Sequence, residues 1–359
     1  MSPVFGDDTY TIVSSEVIDP YHYRTYNETT DFLINLQQSN TDIMKVTSIG
    51  QTYQGRDIWM VKLSDNVMLD EDEPGVLFMG AHHGNEKVTY EVLLNFIEYI
   101  TEIYRRENTD DDSDGTINED PIDGIDNDND GSIDEDPSED RVRTVLNNTQ
   151  IYIIPMVSPD GVEANSRKNM APNYGPFDTA SQVTSIGVNL NRNYDDNWYL
   201  YYMFPLKYHF LLNTLDSSFN YRGPYPFSEN ETKAVKDFVD EHDILISLSF
   251  HSYSEVILFP WMHTSAPTPD EDLFISIGEN MSSINKYRLY TGGDYLIPRL
   301  GGTLGSSENW LYREHGIISF TMELCRTYAP EDSQEVLEAS YSHIGVNLYV
   351  SERSWTIER

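Results

Sequence analysis

The sequence predicts an α/β domain built on a largely parallel or mixed sheet. Three observations carry this reading. Apolar, β-branched runs that read as fully buried strands recur along the chain, and amphipathic helical patterns alternate with them. No Pro- or Ser-rich linker divides the 359 residues, so one domain over 1–359 with an inserted loop is expected.

The elements follow in order. Residues 26–38 read as a first helix, and "DIWMVKLS" (57–64) and "GVLFMGAH" (75–82) as strands. Val88, Val92, Phe96, Ile100 and Ile103 recur at helical spacing, so 87–104 is an amphipathic helix. "TQIYIIPMV" (149–157) is a strand. In "SENETKAVKDFVDEH", Ser228 with Glu231 three residues on reads as a capping-box helix start. "ILISLSF" (244–250) and "IISFTMEL" (317–324) read as buried strands, and 333–352 as a closing helix.

Composition narrows the function classes. At 39% hydrophobic residues the chain can bury a sizeable core, and its net charge of −37 argues against nucleic acid and anionic membranes as partners. No run of about 18 apolar residues is present, so no membrane-spanning helix is expected. The opening "MSPVFGDDTY" holds no apolar signal region. The single cysteine, Cys325, precludes an intrachain disulfide and reads as a packed small residue.

Residues 109–140 form the insert. They hold fifteen acids and no Lys or Arg, leaving a charge near −22 elsewhere. "DDDSDGTINEDP" (110–121) repeats as "DNDNDGSIDEDP" (126–137). Asp110, Asp112 and Asp114, then Asp126, Asp128 and Asp130, precede a glycine, and Asp134 follows at the ninth position of the second repeat. Alternate carboxylates ahead of a glycine turn can wrap oxygen ligands around Ca2+, as in an EF-hand loop. Pro121 and Pro137 stand where that loop has its glutamate, so these are not ordinary EF-hands. They look more like the aspartate-rich calcium repeats of thrombospondin type 3 segments. The alternative is a disordered acidic tract.

The chemistry centres on "GAHHGNE". His83 and Glu86, three apart, can reach one ion if the histidine ends a strand and the glutamate begins a helix; His82 lacks that spacing. A zinc site for hydrolysis needs a third protein ligand and an open position. His251, at the end of "LISLSF", sits where α/β sheets place ligands, although a satisfied core histidine is the bland alternative. His242, His263, His315 and His343 read as surface residues. Glu323 lies in an apolar strand, which is costly unless it has a role or a partner such as Arg326. "GVNLNRNYDDNW" offers Asn191 and Arg192, whose planar fork suits a free carboxylate.

Together these segments resemble the zinc metallocarboxypeptidases of the carboxypeptidase A and T kind. The resemblance covers most of the chain and rests on "SIGQTYQGRDIWMVKLSDN", "GAHHGNE", "GVNLNRNY", "FHSYSEVILFPW" and "SSENWLYREHGIISFTMEL". It implies a single α/β domain with a mixed, mostly eight-stranded sheet flanked by helices. It implies one catalytic Zn2+ on His83, Glu86 and His251, with Glu323 as the general base acting on zinc-activated water. It also implies that Asn191 and Arg192 hold the substrate carboxylate and that Tyr253 lines subsites.

The pattern departs in places. Relatives carry an R-K-x-R segment whose second arginine is expected to polarise the scissile carbonyl; here Met170 stands there, and Arg167 is the candidate to act instead. Counting back from Gly305 to the family's mobile tyrosine lands on Gly301, which leaves Tyr295 as the nearest candidate. The position of Asn85 is arginine in animal digestive members. Glu308, two before Trp310, falls at the expected base of the pocket for the C-terminal side chain and predicts a preference for Lys or Arg.

The expected partners are peptide or protein C-termini, met by a monomer. Modest-affinity calcium loops and the sequons at Asn27 and Asn230 point to an extracellular, secreted protein. Two other readings stand beside the exopeptidase. One is a related zinc amidase acting on peptidoglycan stem peptides or acyl amino acids. The other is a catalytically weak, calcium-dependent binding protein.

Overall fold

A computed structural model of the chain describes residues 21–105, 139–171, 186–199, 218–300 and 303–357. The aspartates of the proposed calcium repeats, and Gly301, lie outside the described residues. Glu139 and Asp140, placed in the insert from sequence, open a helix instead.

Among the described residues, eight strands form one sheet. They are β1 (Met44–Gln51), β2 (Asp57–Leu63), β3 (Gly75–Met79), β4 (Gln150–Ile154), β5 (Ile244–Ser252), β6 (Val256–Phe259), β7 (Arg288–Thr291) and β8 (Ile318–Leu324). Their spatial order is β1-β2-β4-β3-β5-β8-β6-β7. The central run β4-β3-β5-β8 is parallel, and β2 and β6 flank it antiparallel. The mixed sheet foreseen from the alternation of elements is therefore present.

The helices are α1 (Tyr26–Ser39), α2 (Val88–Arg105), α3 (Glu139–Leu146), α4 (Pro159–Glu163), α5 (Asn230–Glu241), α6 (Glu271–Asn285), α7 (Gly292–Leu300), α8 (Ser307–His315) and α9 (Ser333–Ser354). They cover both faces, so the central strands are buried on both sides. β3 shows the consequence. Its Val76 and Phe78 join Phe96 of α2, Met281 of α6 and Val346 of α9 in one core. Its Leu77 and Met79 join Phe238 of α5 and Trp310 of α8 in the other.

Several elements differ from the sequence expectation. The strands predicted to 64, 82 and 157 end at Leu63, Met79 and Ile154, because the chain leaves the sheet there to build loops. β1 had no apolar run to announce it, being an edge strand of mostly half-buried residues. α8 is two turns long and sends Leu311 to one core and Tyr312 to the other, so it shows no single stripe. The capping box expected at Ser228 is absent. α5 is capped at Glu229 without a side-chain bond, since Ser228 Oγ is engaged by Asn193 Nδ2 at 2.9 Å and Glu229 Oε1 at 2.6 Å. A capping box does start α1, where Thr25 and Glu28 bond reciprocally.

His343 is a correction. It is buried in the core rather than on the surface, with Nδ1 2.7 Å from the Ala339 carbonyl and its ring against Phe250 and Tyr287. Burial pushes its pKa down to about 4, so it is a neutral packing residue. No described helix is long and apolar enough to cross a membrane.

Candidate active site

The carboxyl ends of β3, β5 and β8 open into a cavity of about 340 Å³. Ligand sites in open α/β sheets lie at this end of the strands. Its walls bring together His83, Glu86, His251, Glu323, Arg167, Asn191, Arg192, Tyr253, Tyr295 and Glu308. These come from segments up to 240 residues apart, counted from His83 to Glu323.

Local structure explains the first pair. After β3 the chain turns at Gly80–Asn85, and α2 begins two residues past Glu86. Thr89 ties the turn to the helix: its hydroxyl donates to the Glu86 carbonyl at 2.6 Å and accepts from the Ala81 amide at 2.9 Å. Gly84 is needed here, because a Cβ would lie 2.0 Å from the backbone of Gly161. The turn aims His83 into the cavity and His82 away from it. His82 Nε2 meets the Tyr194 hydroxyl at 2.9 Å, and the ring stacks behind His251.

His83 Nδ1 lies 2.8 Å from Glu86 Oε1, and His251 Nδ1 lies 2.9 Å from Glu86 Oε2. The two Nδ1 atoms are 3.2 Å apart. One ligand atom from each residue falls within 4.8 Å of the others. All three residues are buried. Two imidazole nitrogens and a carboxylate, with the cavity leaving a fourth side open, match the donor set of a hydrolytic zinc site. The residues therefore fit the metal. The far nitrogens are engaged as well: His83 Nε2 faces Asn189 Oδ1 at 2.9 Å, and His251 Nε2 lies 3.2 Å from Ser249 Oγ. Such partners orient a ligating ring.

The electrostatics separate the groups. Burial drives His83 down to about 3, and the Arg167 guanidinium adds to it. Burial also opposes protonation of His251, yet the hydrogen bond and charge of Glu86 overcome it and raise its pKa; Glu323 and Glu308 add to that pull. Glu86 is buried, but the two imidazoles hold it well below the usual carboxylate range.

Glu323 stands beside His251, its direct register partner in the β5–β8 pair. Its carboxyl opens onto the cavity and makes no hydrogen bond among the described residues. Its carboxyl is pushed up to about 7, by burial first, with His251 opposing and Glu86 reinforcing. An ion pair with Arg326 is not formed; Arg326 is exposed and pairs with Glu255 at 3.1 Å.

The opposite wall is zipped together by hydrogen bonds from backbone amides. Tyr194 N donates to the Gly305 carbonyl at 3.1 Å, and Ser307 N donates to Asn191 Oδ1 at 2.8 Å. Gly305 has φ +75°, and a Cβ there would meet the Arg192 carbonyl at 2.2 Å, so this close approach demands glycine. The zipper sets Asn191 and Arg192 beside α8 and Glu308. Leu258, Met262 and Thr321 line the cavity with Glu308, which is 1% exposed.

Arg167 reaches the site. Its Nη1 donates to Glu86 Oε1 at 2.8 Å, whereas Met170 does not line the cavity. The arginine that this segment contributes to the cavity is thus its first. Tyr253, 46% exposed, forms an edge-to-face pair with Tyr328 at the mouth. Tyr328, Ser306 and the buried acceptor Asn189 were not assigned roles from sequence. Asn189 had a signal, lying two residues before Asn191 in the same motif; Tyr328 had none.

Comparison with known proteins shows the family and the fold. The family described as "Zinc carboxypeptidase" matches residues 29–339. A "Zinc carboxypeptidase" of Saccharothrix mutabilis subsp. capreolus is 28% identical over 92% of this chain and 70% of its own length. The "Carboxypeptidase N catalytic chain" of Homo sapiens is 25% identical over 92% of this chain and 69% of its own. The crystal structure of the carboxypeptidase A from Helicoverpa armigera superposes with a TM-score of 0.71 at 18% identity, covering 96% of this chain and 76% of that one.

Proposed function

The chain belongs to the zinc carboxypeptidase family, and on that footing we propose that it removes single residues from peptide and protein C-termini, favouring Lys and Arg. Membership makes it a zinc-dependent hydrolase of the metallocarboxypeptidase type. The observation that carries the finer reading is the meeting of three metal donors, one proton-accepting carboxylate and one carboxylate clamp around a single cavity.

His83, Glu86 and His251 are read as the zinc ligands. When bound, zinc supplies a Lewis acid that polarises the scissile carbonyl and acidifies water. Glu323 takes the proton of the attacking water and returns it to the leaving amine. Arg167 donates toward the carbonyl oxygen as negative charge develops there. Asn191 and Arg192 bind the terminal carboxylate; a planar guanidinium matches it in a way a C-terminal amide cannot. The C-terminal side chain enters the pocket whose Leu258 and Met262 would cover the aliphatic stem of Lys or Arg, with Glu308 meeting the charge. Tyr253 and Tyr295 flank the substrate on the cavity wall.

The catalytic domain is taken as 1–359, with 109–140 as a calcium-binding insert on the sequence grounds of its aspartate repeats. Secretion fits that insert, since such loops fill at extracellular calcium levels.

The test is amino-acid release from peptides ending in Arg, Lys, Phe or Glu, each beside its C-terminal amide, with and without a zinc-selective chelator at fixed calcium. Chelator-sensitive release from the free acids, fastest for Arg and Lys, is expected. Release from amides at the same rate would sink the clamp, and equal turnover of Arg and Phe would sink the pocket assignment.

A further inference from the structure

A closed ring of polar contacts joins His83 to Arg167 by two routes. On one side, Arg167 Nη1 donates to Glu86 Oε1 at 2.8 Å, and that oxygen faces His83 Nδ1 at 2.8 Å. On the other side, His83 Nε2 faces Asn189 Oδ1 at 2.9 Å, Asn189 Nδ2 meets Asn220 Oδ1 at 3.0 Å, and Arg167 Nε donates to that same Asn220 oxygen at 3.3 Å.

One residue dictates the sense of the second route. A guanidinium only donates. Asn220 must therefore turn its oxygen toward Arg167, and the same oxygen then accepts Asn189 Nδ2–H. Asn189 is left with its oxygen facing His83. His83 then carries its proton on Nε2, which leaves the Nδ1 lone pair for the metal position that Glu86 and His251 share. With Asn189 turned round, an N–H would face Nε2, the imidazole proton would move to Nδ1, and the ligating lone pair would be lost. His83 and Asn189 are buried, so solvent does not supply a substitute acceptor.

We propose that Asn220 is a positioning residue: it fixes the orientation of the Asn189 amide, and through it the metal-binding tautomer of His83, while anchoring the Arg167 guanidinium. The proposal rests on reading His83 as a zinc ligand. The backbone holds the ring in place independently of the side chain, because Asn189 N donates to the Tyr221 carbonyl at 2.7 Å. Phe219, under the Arg167 guanidinium at 5.1 Å, completes the anchor from the same segment. Asn220 couples two functions, metal retention and placement of the cation, that otherwise sit on separate elements.

The experiment measures zinc affinity by chelator competition and kcat/KM for the full chain in five forms: unaltered, Asn220→Ala, Asn220→Asp, Asn189→Asp, and Asn220→Ala combined with Asn189→Asp. Asn220→Ala is expected to weaken zinc binding about 10- to 100-fold and to lower kcat/KM. Asn220→Asp keeps an acceptor for both donors and is expected to restore zinc binding to within about threefold. A carboxylate at 189 accepts from His83 in either orientation, so in that background Asn220→Ala should no longer cost zinc affinity. Equal zinc binding by Asn220→Ala and the unaltered chain would overturn the proposal, as would equal losses for the Ala and Asp variants. If the unaltered chain binds no zinc, the ligand reading itself fails, which is a different result.

Discussion

Glu86 and Glu323 face one cavity, yet their surroundings drive them in opposite directions. Glu86 is sealed between two imidazoles and the Arg167 guanidinium and stays ionised. Glu323 opens onto the cavity without a hydrogen-bond partner among the described residues and is raised to about 7. Burial raises both; the neighbours decide the outcome. The difference fits the proposed tasks. A carboxylate that cannot be protonated is suited to hold a cation, and one that gains and loses a proton near neutrality is suited to move protons.

The proton on Glu323 also bears on stability. The folded, metal-free protein holds it to higher pH than the unfolded chain does. Its contribution is full below the ordinary value of 4.5 and is lost as pH rises through about 7. A cation in the cradle would offset that loss, so zinc should raise the melting temperature more at pH 8 than at pH 5.

The contrast between the two carboxylates can be broken from the cradle side first. His251→Ala removes a ligand and the partner of Glu86 Oε2. All chelator-sensitive turnover should vanish and zinc should no longer be retained through dialysis; retention of both would mean that His251 is not a ligand. A smaller effect is expected at the residue that touches Glu86 without ligating. Arg167→Ala, assayed at saturating zinc, should lower kcat/KM by about 10²- to 10³-fold. Intact turnover would leave the developing negative charge without its assigned donor. The smallest effect concerns selectivity alone. Glu308→Leu should reduce the preference for Arg over Phe at the C-terminus by roughly 30-fold, the loss of one buried charge partner. An unchanged ratio would show that Glu308 does not meet the substrate side chain.

Much of the cavity was legible because its parts lie at the ends of strongly apolar strands. "GVLFMGAH", "ILISLSF" and "IISFTMEL" became β3, β5 and β8, and each delivers its polar residue at the strand end or just past it. The Asn-Arg pair was legible as a compact motif. The remainder depended on contacts between distant segments. Residues 218–221 carry no motif, and Asn220 matters only because the fold sets it against Asn189 and Arg167, 31 and 53 residues away. Burial of His343 was hidden in the same way. In the closing helix it read as a surface residue, but α9 packs against both α2 and α6 and buries more than one stripe. Methionine at position 170, where relatives carry arginine, looked damaging in sequence, and the fold sets Arg167 on the cavity wall with His83, Glu86 and His251.

The central claim is that Glu323 moves the proton while His83, Glu86 and His251 hold the metal. Glu323→Gln, assayed for zinc content and for kcat/KM across pH, tests it most directly. The unaltered enzyme should show an acid limb between 4.5 and about 7, with activity rising as Glu323 loses its proton. The variant should keep its zinc, lose that limb and turn over about 10²- to 10⁴-fold more slowly. A variant that loses zinc, or one that keeps both its rate and the acid limb, would contradict the account.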